Sequence, residues 1–396
     1  MRRRSSAAVG LGLAALVASW AFGSTPLAVV GLGLAFAGLL SRAWARAATR
    51  AVVVERTLLP GERIEGSNLI VEVHVRRRGL VGGSIVVRQR LGGEEREVSL
   101  RRSSAEVVFS ALPRGRHLLA PLEIVLTDPL GLERVEQRLA EQESVLVRPR
   151  VPVLASLFST HGSRDSGASR SSFRRPTGFE IHAIRDYAPG EPLRAVHWPS
   201  TARRGRLMVK ELDDAPRDDI AVVLDQDLDG VAGPLGHSSF DAAVRAAGAL
   251  ALAHVLWNRR VALVGTAPAT EVVRVHSVGH DWEVALDALA EVMPVAGAHA
   301  DRALRSPAAA VARAREIVVV TGRPGLVVDA LLELRRNGRT VSLVVVASET
   351  YAGRPRNAPD IALLRAGALG LPVAVVSADR PIESALAGQL EGMTGA

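Results

Sequence analysis

Two apolar runs close to the N-terminus constrain this chain more than any other feature of its sequence. The first covers about residues 7–22, follows three arginines at positions 2–4, and is separated from the second, residues 27–40, by a Gly-Ser-Thr-Pro turn. Each run is close to the shortest helix that spans a bilayer, about 17 residues. The sequence therefore predicts a two-helix membrane anchor over residues 1–50.

Basic residues flank both outer ends of this predicted hairpin. Arginines 2–4 precede it, Arg42, Arg46 and Arg50 follow it, and the turn contains none. Because short cytoplasmic segments carry the excess of Arg and Lys, this pattern predicts that both ends face the cytoplasm. We expect a multi-pass protein of the cell membrane, held in the lipid bilayer, with its large remainder in the cytoplasm.

A secretory signal peptide is the alternative interpretation of the first run. It has a basic start, an apolar centre and a small-x-small pattern at Ser19-Trp20-Ala21. Even after cleavage there, the run over residues 27–40 would keep the chain in the membrane. The membrane prediction holds under both interpretations, and the cytoplasmic prediction depends on the hairpin.

The amino-acid composition limits the functions that the part of the chain after the predicted anchor can have. The net charge of +8 would suit nucleic acid, but anionic lipid headgroups attract the same charge, and an aromatic content of 4% leaves little for base stacking. We therefore expect no nucleic-acid partner. The chain has no cysteine, which excludes a disulfide scaffold, a thiolate nucleophile and a cysteine-ligated metal.

Short β-rich runs fill residues 51–153 and predict a small antiparallel sandwich of the immunoglobulin-like kind, although the Cys-Trp-Cys core is absent. The predicted strands cover residues 52–54, 69–75, 84–87, 107–109, 122–126 and 145–147. Residues 154–177 are rich in Ser, Arg and Gly, which predicts a linker. The 178–216 segment follows it.

Residues 217–396 alternate short apolar runs with amphipathic stretches, which indicates a doubly wound α/β domain around a parallel sheet. The predicted strands are residues 220–224, 261–264, 317–320, 341–346 and 373–376. The predicted helices are residues 240–259, 281–292, 326–337 and 360–368.

The 178–216 segment carries a dense motif. It has an Arg-acid-Tyr-x-Pro-Gly-acid turn, then an Arg, a His-Trp pair and a Thr-Ala-Arg-x-Gly-x-Leu run. In these features the chain resembles the DUF58 family. The matching positions are Arg185, Asp186, Tyr187, Pro189, Gly190, Glu191, Arg194, His197, Trp198, Thr201, Ala202, Arg203, Gly205 and Leu207.

The resemblance implies an architecture and a partner. Proteins similar to this one combine a helix hairpin, a β-domain and a C-terminal domain akin to the von Willebrand factor A fold. They are commonly encoded beside MoxR-type AAA+ ATPases and membrane-bound transglutaminase-like proteins. The implied role is a non-enzymatic adaptor that presents its A-like domain to such an ATPase or its clients, in complex assembly or cell-envelope processes.

The charged residues of the signature segment admit two interpretations. In the first, Arg185, Arg194 and Arg203 pair with Asp186, Glu191 or Glu211 and join the linker to the α/β domain. In the second, Trp198 and the flanking arginines form a docking surface, because this mixture of residues anchors interfaces. A tryptophan buried in a core would be equally ordinary.

The loop after the first predicted strand of the α/β domain admits two interpretations, a metal site and a degenerate loop. In A-like domains an Asp-x-Ser-x-Ser loop after the first strand holds a divalent cation, whereas this chain has Asp225, Asp227 and Asp229 at those positions. Three carboxylates could bind Mg²⁺ or Ca²⁺. In the alternative, the loop is degenerate and its carboxylates are solvated or pair with arginine. Thr321 stands where such folds usually place an acidic ligand.

An enzymatic role is the alternative to an adaptor. Asp186, His197 and Ser200 or Thr201 are residue types that nucleophilic hydrolysis uses, so a membrane-associated hydrolase centred on Asp186 and His197 stays open. The sequence contains no P-loop, nucleophile elbow or zincin motif, however. We therefore expect no enzyme.

Overall fold

The computed structural model describes residues 4–59, 61, 63–77, 82–139, 141–158, 181–186, 196–212, 220–268, 272–306, 310–355 and 360–387. The chain forms two compact units. The first contains residues 1–150 with 289–291, and the second contains residues 151–288 with 292–396.

The first unit begins with the predicted pair of apolar helices, α1 (Arg4–Phe22) and α2 (Thr25–Ala51). Gly23, at φ +61°, makes the turn between them, and Pro26 lies in the first turn of α2, where its missing N–H leaves no bond unmade. Both helices are long and apolar enough to cross a membrane. Helix α2 continues eleven residues past Leu40, where the predicted apolar run ends. This extension contains neither Gly nor Pro and is rich in Ala and Arg, which favour helix.

Small residues let the two helices approach closely. A Cβ atom built on Gly12 would lie 2.6 Å from the backbone nitrogen of Ala35 and 2.7 Å from the carbonyl oxygen of Gly31. A Cβ on Gly38 would lie 2.8 Å from the carbonyl oxygen of Ser5. The glycines therefore form the contact face of the hairpin, as is usual for membrane helices.

The rest of the first unit is an antiparallel sandwich with one apolar core shared by its two sheets. The strands are β1 (Val52–Leu58), β2 (Leu69–Arg77), β3 (Ser84–Leu91), β4 (Glu94–Ser99), β5 (Ser104–Phe109), β6 (Gly115–Leu119), β7 (Leu122–Thr127), β8 (Arg134–Leu139) and β9 (Glu143–Val147). One sheet has the order β1-β2-β5 and the other β8-β7-β3-β6-β9, with β4 on β3. The sequence patterns missed β4, β6 and β8.

In the second unit, the signature segment contributes β10 (Ile181–Asp186), α3 (Trp198–Arg204) and β11 (Met208–Leu212). Strands β10 and β11 pair antiparallel, with Asp186 opposite Met208. The two strands that flank the Pro-Gly turn in the sequence are therefore neighbours in the sheet. The predicted linker lies outside the described residues from position 159, as does the turn itself at positions 187–195.

The remaining residues of the second unit form a mixed α/β fold. Its strands are β12 (Ile220–Leu224), β13 (Val261–Gly265), β14 (Val273–Val275), β15 (Glu316–Thr321), β16 (Thr340–Val346) and β17 (Val373–Val376), in the order β14-β13-β12-β15-β16-β17. Its helices are α4 (Ser239–Leu256), α5 (His280–Glu291), α6 (Ala300–Arg305), α7 (Ala310–Arg313), α8 (Pro324–Arg336), α9 (Ser348–Tyr351), α10 (Ile361–Ala368) and α11 (Ile382–Leu386).

The predicted parallel pairings are present, and the short edge strand β14 runs antiparallel, which the sequence did not predict. Helices α6, α7, α8 and α10 share an apolar core with alternate residues of the sheet. Helix α4 is itself apolar enough for a membrane span, but 83% of it is buried. Because both faces of the sheet are buried, its strands read as continuous apolar runs.

Candidate functional site

The candidate site lies where the loops after β12 and β15 leave the sheet. These two strands are parallel neighbours, but the chain proceeds from β12 toward β13 on one side and from β15 toward β16 on the other. Such a switch point leaves a crevice at the carboxyl ends of the strands, the usual place for ligands in α/β sheets. The predicted aspartates, residues 225, 227 and 229, lie in the first of these loops.

Asp225 is buried and bonds to the end of the neighbouring strand β15. The hydroxyl of Thr321 donates to its Oδ2 at 2.5 Å, and its own backbone N–H donates to Val320 at 2.9 Å. Burial raises the pKa of Asp225 above the ordinary value, and the hydrogen bond from Thr321 opposes this only in part. The first aspartate therefore ties the two strands together across the switch point.

Asp227 has the strongest partners of the three. Its side chain is fully buried, and its Oδ2 lies 2.7 Å from Nη1 of Arg323 and 2.9 Å from Nδ1 of His299. Burial alone would raise the pKa of Asp227, but the bonds from Arg323 and His299 outweigh it and hold the pKa below the ordinary value. Asp227 is therefore an ionised carboxylate whose negative charge is balanced by the guanidinium group of Arg323.

Asp229 is mostly exposed and shares the same arginine. Nη1 of Arg323 lies 3.1 Å from its Oδ2, while its backbone N–H donates to Oδ1 of Asp227 at 3.3 Å. Gln226 fixes the loop from the other side, because its amide nitrogen donates to Met293 and its amide oxygen accepts from Ala267.

These residues do not fit a divalent cation. A nitrogen of Arg323 occupies the space between the carboxylates of Asp227 and Asp229, and Thr321 takes an oxygen of Asp225. Across the part of the chain that the structure describes, no group of three or more His, Cys, Asp or Glu side chains is arranged to hold a metal ion. The guanidinium supplies the positive charge that Mg²⁺ or Ca²⁺ would bring.

Exposed apolar side chains border this charged cluster. Leu228 lies within the aspartate loop and is 47% exposed, and its backbone N–H donates to Val295, which is 42% exposed. Leu235, in the segment that leads to α4, is 65% exposed.

The signature residues form a second place of interest. Trp198 begins α3 and is 61% exposed, so it does not belong to a core. Nδ1 of His197 lies 2.8 Å from Oγ of Ser200, and the backbone of His197 bonds to Met208 of β11. Arg203 lies in the last turn of α3 and is exposed.

Several predicted residues of this segment lie wholly or in part outside the described portion of the chain. Arg185 and Asp186 lie in β10, but their side chains are outside the described part, like that of Glu211 in β11. Five further signature residues lie outside the described residues altogether: Tyr187, Pro189, Gly190, Glu191 and Arg194. The predicted salt-bridge cluster therefore stays a prediction.

Sequence reasoning missed the partners that define the aspartate loop. His299 and Arg323 are 72 and 96 residues away from Asp227, and neither belongs to a recognisable motif. For Arg323, its position directly after the predicted strand 317–320 is the signal that could have found it, because loops at the same end of a parallel sheet meet. His299 follows a predicted helix and carried no such signal. Arg323 follows β15 by two residues, in the loop that contains Thr321.

Comparisons with known proteins bear on the same region. A family model described as "Protein of unknown function DUF58" matches residues 183–350. The chain is also similar to the uncharacterized protein YeaD of Bacillus subtilis strain 168, at 23% identity over 118 residues. That alignment covers 30% of this chain and 30% of the relative. Residues 183–350 therefore match the model of the DUF58 family, which the signature segment resembles.

Proposed function

We propose that this DUF58 protein is a membrane-tethered, non-enzymatic adaptor that presents its C-terminal domain to a partner protein. The exposure of Trp198 carries the proposal. A tryptophan that is 61% exposed leaves a large apolar surface in water, and tryptophan is the residue type most enriched at binding hot spots. Its place in the signature segment links the docking role to the family.

The fold supports an A-like identity for the C-terminal domain. Counted from β12, its strands have the order third, second, first, fourth, fifth, sixth, with only the edge strand antiparallel. The aspartate loop follows the first, central strand, where A-like domains keep their metal loop. The two-sheet β-domain likewise supports an immunoglobulin-like architecture.

The charge around Trp198 favours an acidic partner surface. Arg203, Arg204 and Arg206 lie within eight residues of it and are exposed. Arginine beside an aromatic side chain is the combination that binds carboxylates and ring faces at interfaces. The family resemblance suggests a MoxR-type AAA+ ATPase as this partner, with a transglutaminase-like membrane protein as a further member of the complex.

A hydrolase centred on Asp186 and His197 is the second candidate, and the bond between His197 and Ser200 is the observation in its favour. The pair is three residues apart at the start of a seven-residue helix, a spacing that local side-chain bonding explains by itself. The adaptor is therefore the better-supported function.

Binding of a purified MoxR-type ATPase to the full chain in lipid nanodiscs tests the proposal. Trp198→Ala should weaken binding by about 30-fold, the effect expected for a hot-spot residue. Trp257→Ala is the matched control, because Trp257 is 43% exposed in the same domain, and it should leave the affinity unchanged. The affinity is measured by surface plasmon resonance.

The hydrolase alternative has its own measurement. The full chain is incubated with a panel of ester and peptide substrates, and turnover is compared between the wild type and His197→Ala. Turnover that depends on His197, together with no loss of ATPase affinity in Trp198→Ala, would replace the adaptor with the hydrolase.

A further inference from the structure

We infer that the turn of residues 128–133 in the β-domain lies in the lipid headgroup region, with Leu130 inserted at the surface of the bilayer. The inference rests on the hairpin spanning the membrane and adds a second, independent membrane contact. Leu130 is 55% exposed, although an exposed leucine at the tip of a turn gains nothing from water.

Two hydrogen bonds fix the depth of this turn against α1. The backbone N–H of Ser5 donates to the carbonyl oxygen of Leu132 at 3.1 Å, and its hydroxyl donates to Oε1 of Glu133 at 2.5 Å. Ser5 is fully buried and lies two residues before the apolar run that begins at Ala7. The turn therefore lies at the same depth as the N-terminal end of α1, where the hydrocarbon region meets the lipid headgroups.

The second helix fixes the same depth independently. Ser41, which directly follows the apolar run, donates its hydroxyl to Oδ2 of Asp128 at 2.8 Å. One turn further along, Nε1 of Trp44 donates to the carbonyl oxygen of Gly82 at 2.9 Å. Tryptophan is enriched at the membrane interface, so this contact brings a second loop of the sandwich to the same level.

The turn is built so that its acidic groups face inward. Asp128 is 4% exposed and accepts the backbone N–H groups of Leu130 and Glu133 at 3.1 and 2.6 Å. Glu133 is itself 7% exposed. Because both carboxylates are bonded within the protein, the tip offers the bilayer only the uncharged residues Pro129, Leu130 and Gly131, all of them exposed.

The surrounding charges favour anionic lipid. Arg46 and Arg50 extend from α2 on the aqueous side of the apolar run and are exposed, and Arg134 begins β8 next to the turn and is exposed as well. Basic residues at this level are attracted to anionic headgroups, and an apolar tip between them adds buried surface.

Single cysteines test the depth of the turn, because the chain has none of its own. Leu130→Cys is labelled with an environment-sensitive fluorophore, and the full chain is reconstituted into vesicles of phosphatidylcholine and phosphatidylglycerol. Quenching by a lipid that carries a nitroxide near its headgroup is compared with quenching by aqueous iodide.

Leu118→Cys is the matched control. Leu118 is 50% exposed and lies in β6, beside the far end of β3, roughly 23 Å along that strand from the turn. We expect the nitroxide lipid to quench the label at residue 130 at least about twofold more than the label at residue 118, with the reverse order for iodide.

Leu32→Cys separates failure of this inference from failure of the anchor. Leu32 lies in the middle of the second apolar run and is 65% exposed. If iodide fails to quench the label at residue 32 while the label at residue 130 behaves like that at residue 118, the membrane contact of the turn is disproved. If the label at residue 32 is quenched by iodide instead, the anchor fails and the inference fails with it.

Discussion

One guanidinium nitrogen of Arg323 contacts the carboxylates of both Asp227 and Asp229. One of these carboxylates is fully buried and the other is largely exposed. Asp227 has no exposed side-chain surface, whereas 70% of Asp229 is exposed. The buried bond therefore contributes most of the stability, since the exposed pair is weakened by water and salt. The arginine acts as an internal counter-ion for a carboxylate that is buried away from water.

Replacing Arg323 by alanine should lower the free energy of unfolding by about 2 kcal/mol, because Asp227 would keep its burial and lose a charged donor. Urea denaturation of the full chain in detergent measures the effect. Arg305→Ala removes another ion pair, to Glu333 at 3.3 Å, in which both side chains are more than half exposed. This control should cost less than about 0.5 kcal/mol.

A similar loss in both variants would contradict the role of Arg323 as a counter-ion. The wild type should also unfold at the same urea concentration in EDTA and in excess Mg²⁺, because the guanidinium fills the space between the carboxylates. Stabilisation of the wild type by Mg²⁺ would show that the loop binds a cation after all.

His254 is a second residue whose burial has a measurable consequence. It lies in α4 with its ring edge-to-face against Trp257 and its Nδ1 3.1 Å from a guanidinium nitrogen of Arg259. Burial, and the nearby charge of Arg259, lower the pKa of His254 to about 3. The folded state therefore holds a neutral imidazole where the unfolded chain binds a proton.

Because the folded pKa lies below the unfolded value of 6.5, stability is complete above pH 6.5 and is lost as the pH falls toward 3. Between pH 7 and pH 5 this group alone should lower the free energy of unfolding by about 2 kcal/mol. Denaturation at both pH values measures the loss, and His254→Gln should reduce it. His237→Gln, at an exposed position, should leave it unchanged. Equal pH dependence in all three proteins would rule out His254 as its source.

At the scale of the elements, the hairpin depends on glycine at particular positions of its helices. Gly12 faces Gly31 and Ala35 across the contact, while the space around Gly10, one half-turn earlier, is open to 4 Å. The two glycines belong to the same helix and differ only in the face they occupy.

Gly12→Leu should separate α1 from α2, because its Cβ alone would lie within 3 Å of two backbone atoms of the partner helix. We expect the thermal midpoint of the full chain in mild detergent to fall by ~5 °C or more, read by circular dichroism. Gly10→Leu should keep the wild-type midpoint. Equal midpoints for the two variants would contradict the predicted contact face.

The elements also show what the sequence could predict. The apolar runs identified both N-terminal apolar helices. They also identified five strands of the α/β sheet, because full burial on both faces leaves a continuous apolar signal in a strand. Strand β4 was missed because its residues, Glu-Glu-Arg-Glu-Val-Ser, are nearly all exposed at a sheet edge and lack alternation. The antiparallel β14 was missed because three residues are too short for any periodicity.

The candidate site was predictable only in part. Sequence patterns place the aspartates directly after a central strand, since strand and loop are contiguous in the chain. The pairing of Asp227 with Arg323 depends on how two distant loops meet, which local spacing does not encode. The sequence also did not determine whether Trp198 is exposed, because tryptophan is common both in cores and at interfaces.

At the scale of the whole molecule, the distribution of basic residues predicts the topology. Thr25→Cys, in the turn region of the hairpin, should react with a membrane-impermeant maleimide in intact cells, because the turn is expected outside the cytoplasm. Ser99→Cys, exposed at the end of β4, should react only after the cells are lysed. Labelling is read by a mass shift on gels.

The cysteine-free wild type is the blank for this measurement. Reaction of Ser99→Cys in intact cells would place the β-domain outside the cytoplasm and favour the signal-peptide interpretation. Reaction of neither variant before lysis would mean that the turn does not cross the membrane.

Helix α2 ends at Ala51 and strand β1 begins at Val52, so no flexible connection separates the anchor from the sandwich. The helix is 27 residues, or about 40 Å, long, against a hydrocarbon thickness of about 30 Å. Only its apolar stretch, residues 27–40, is matched to the hydrocarbon, and a change in bilayer thickness is met in part by a change in helix tilt. The junction and the bonds from Ser5 and Ser41 make the sandwich turn with it. Any change in the tilt of the two helices in a bilayer would therefore change the orientation of the sandwich as well.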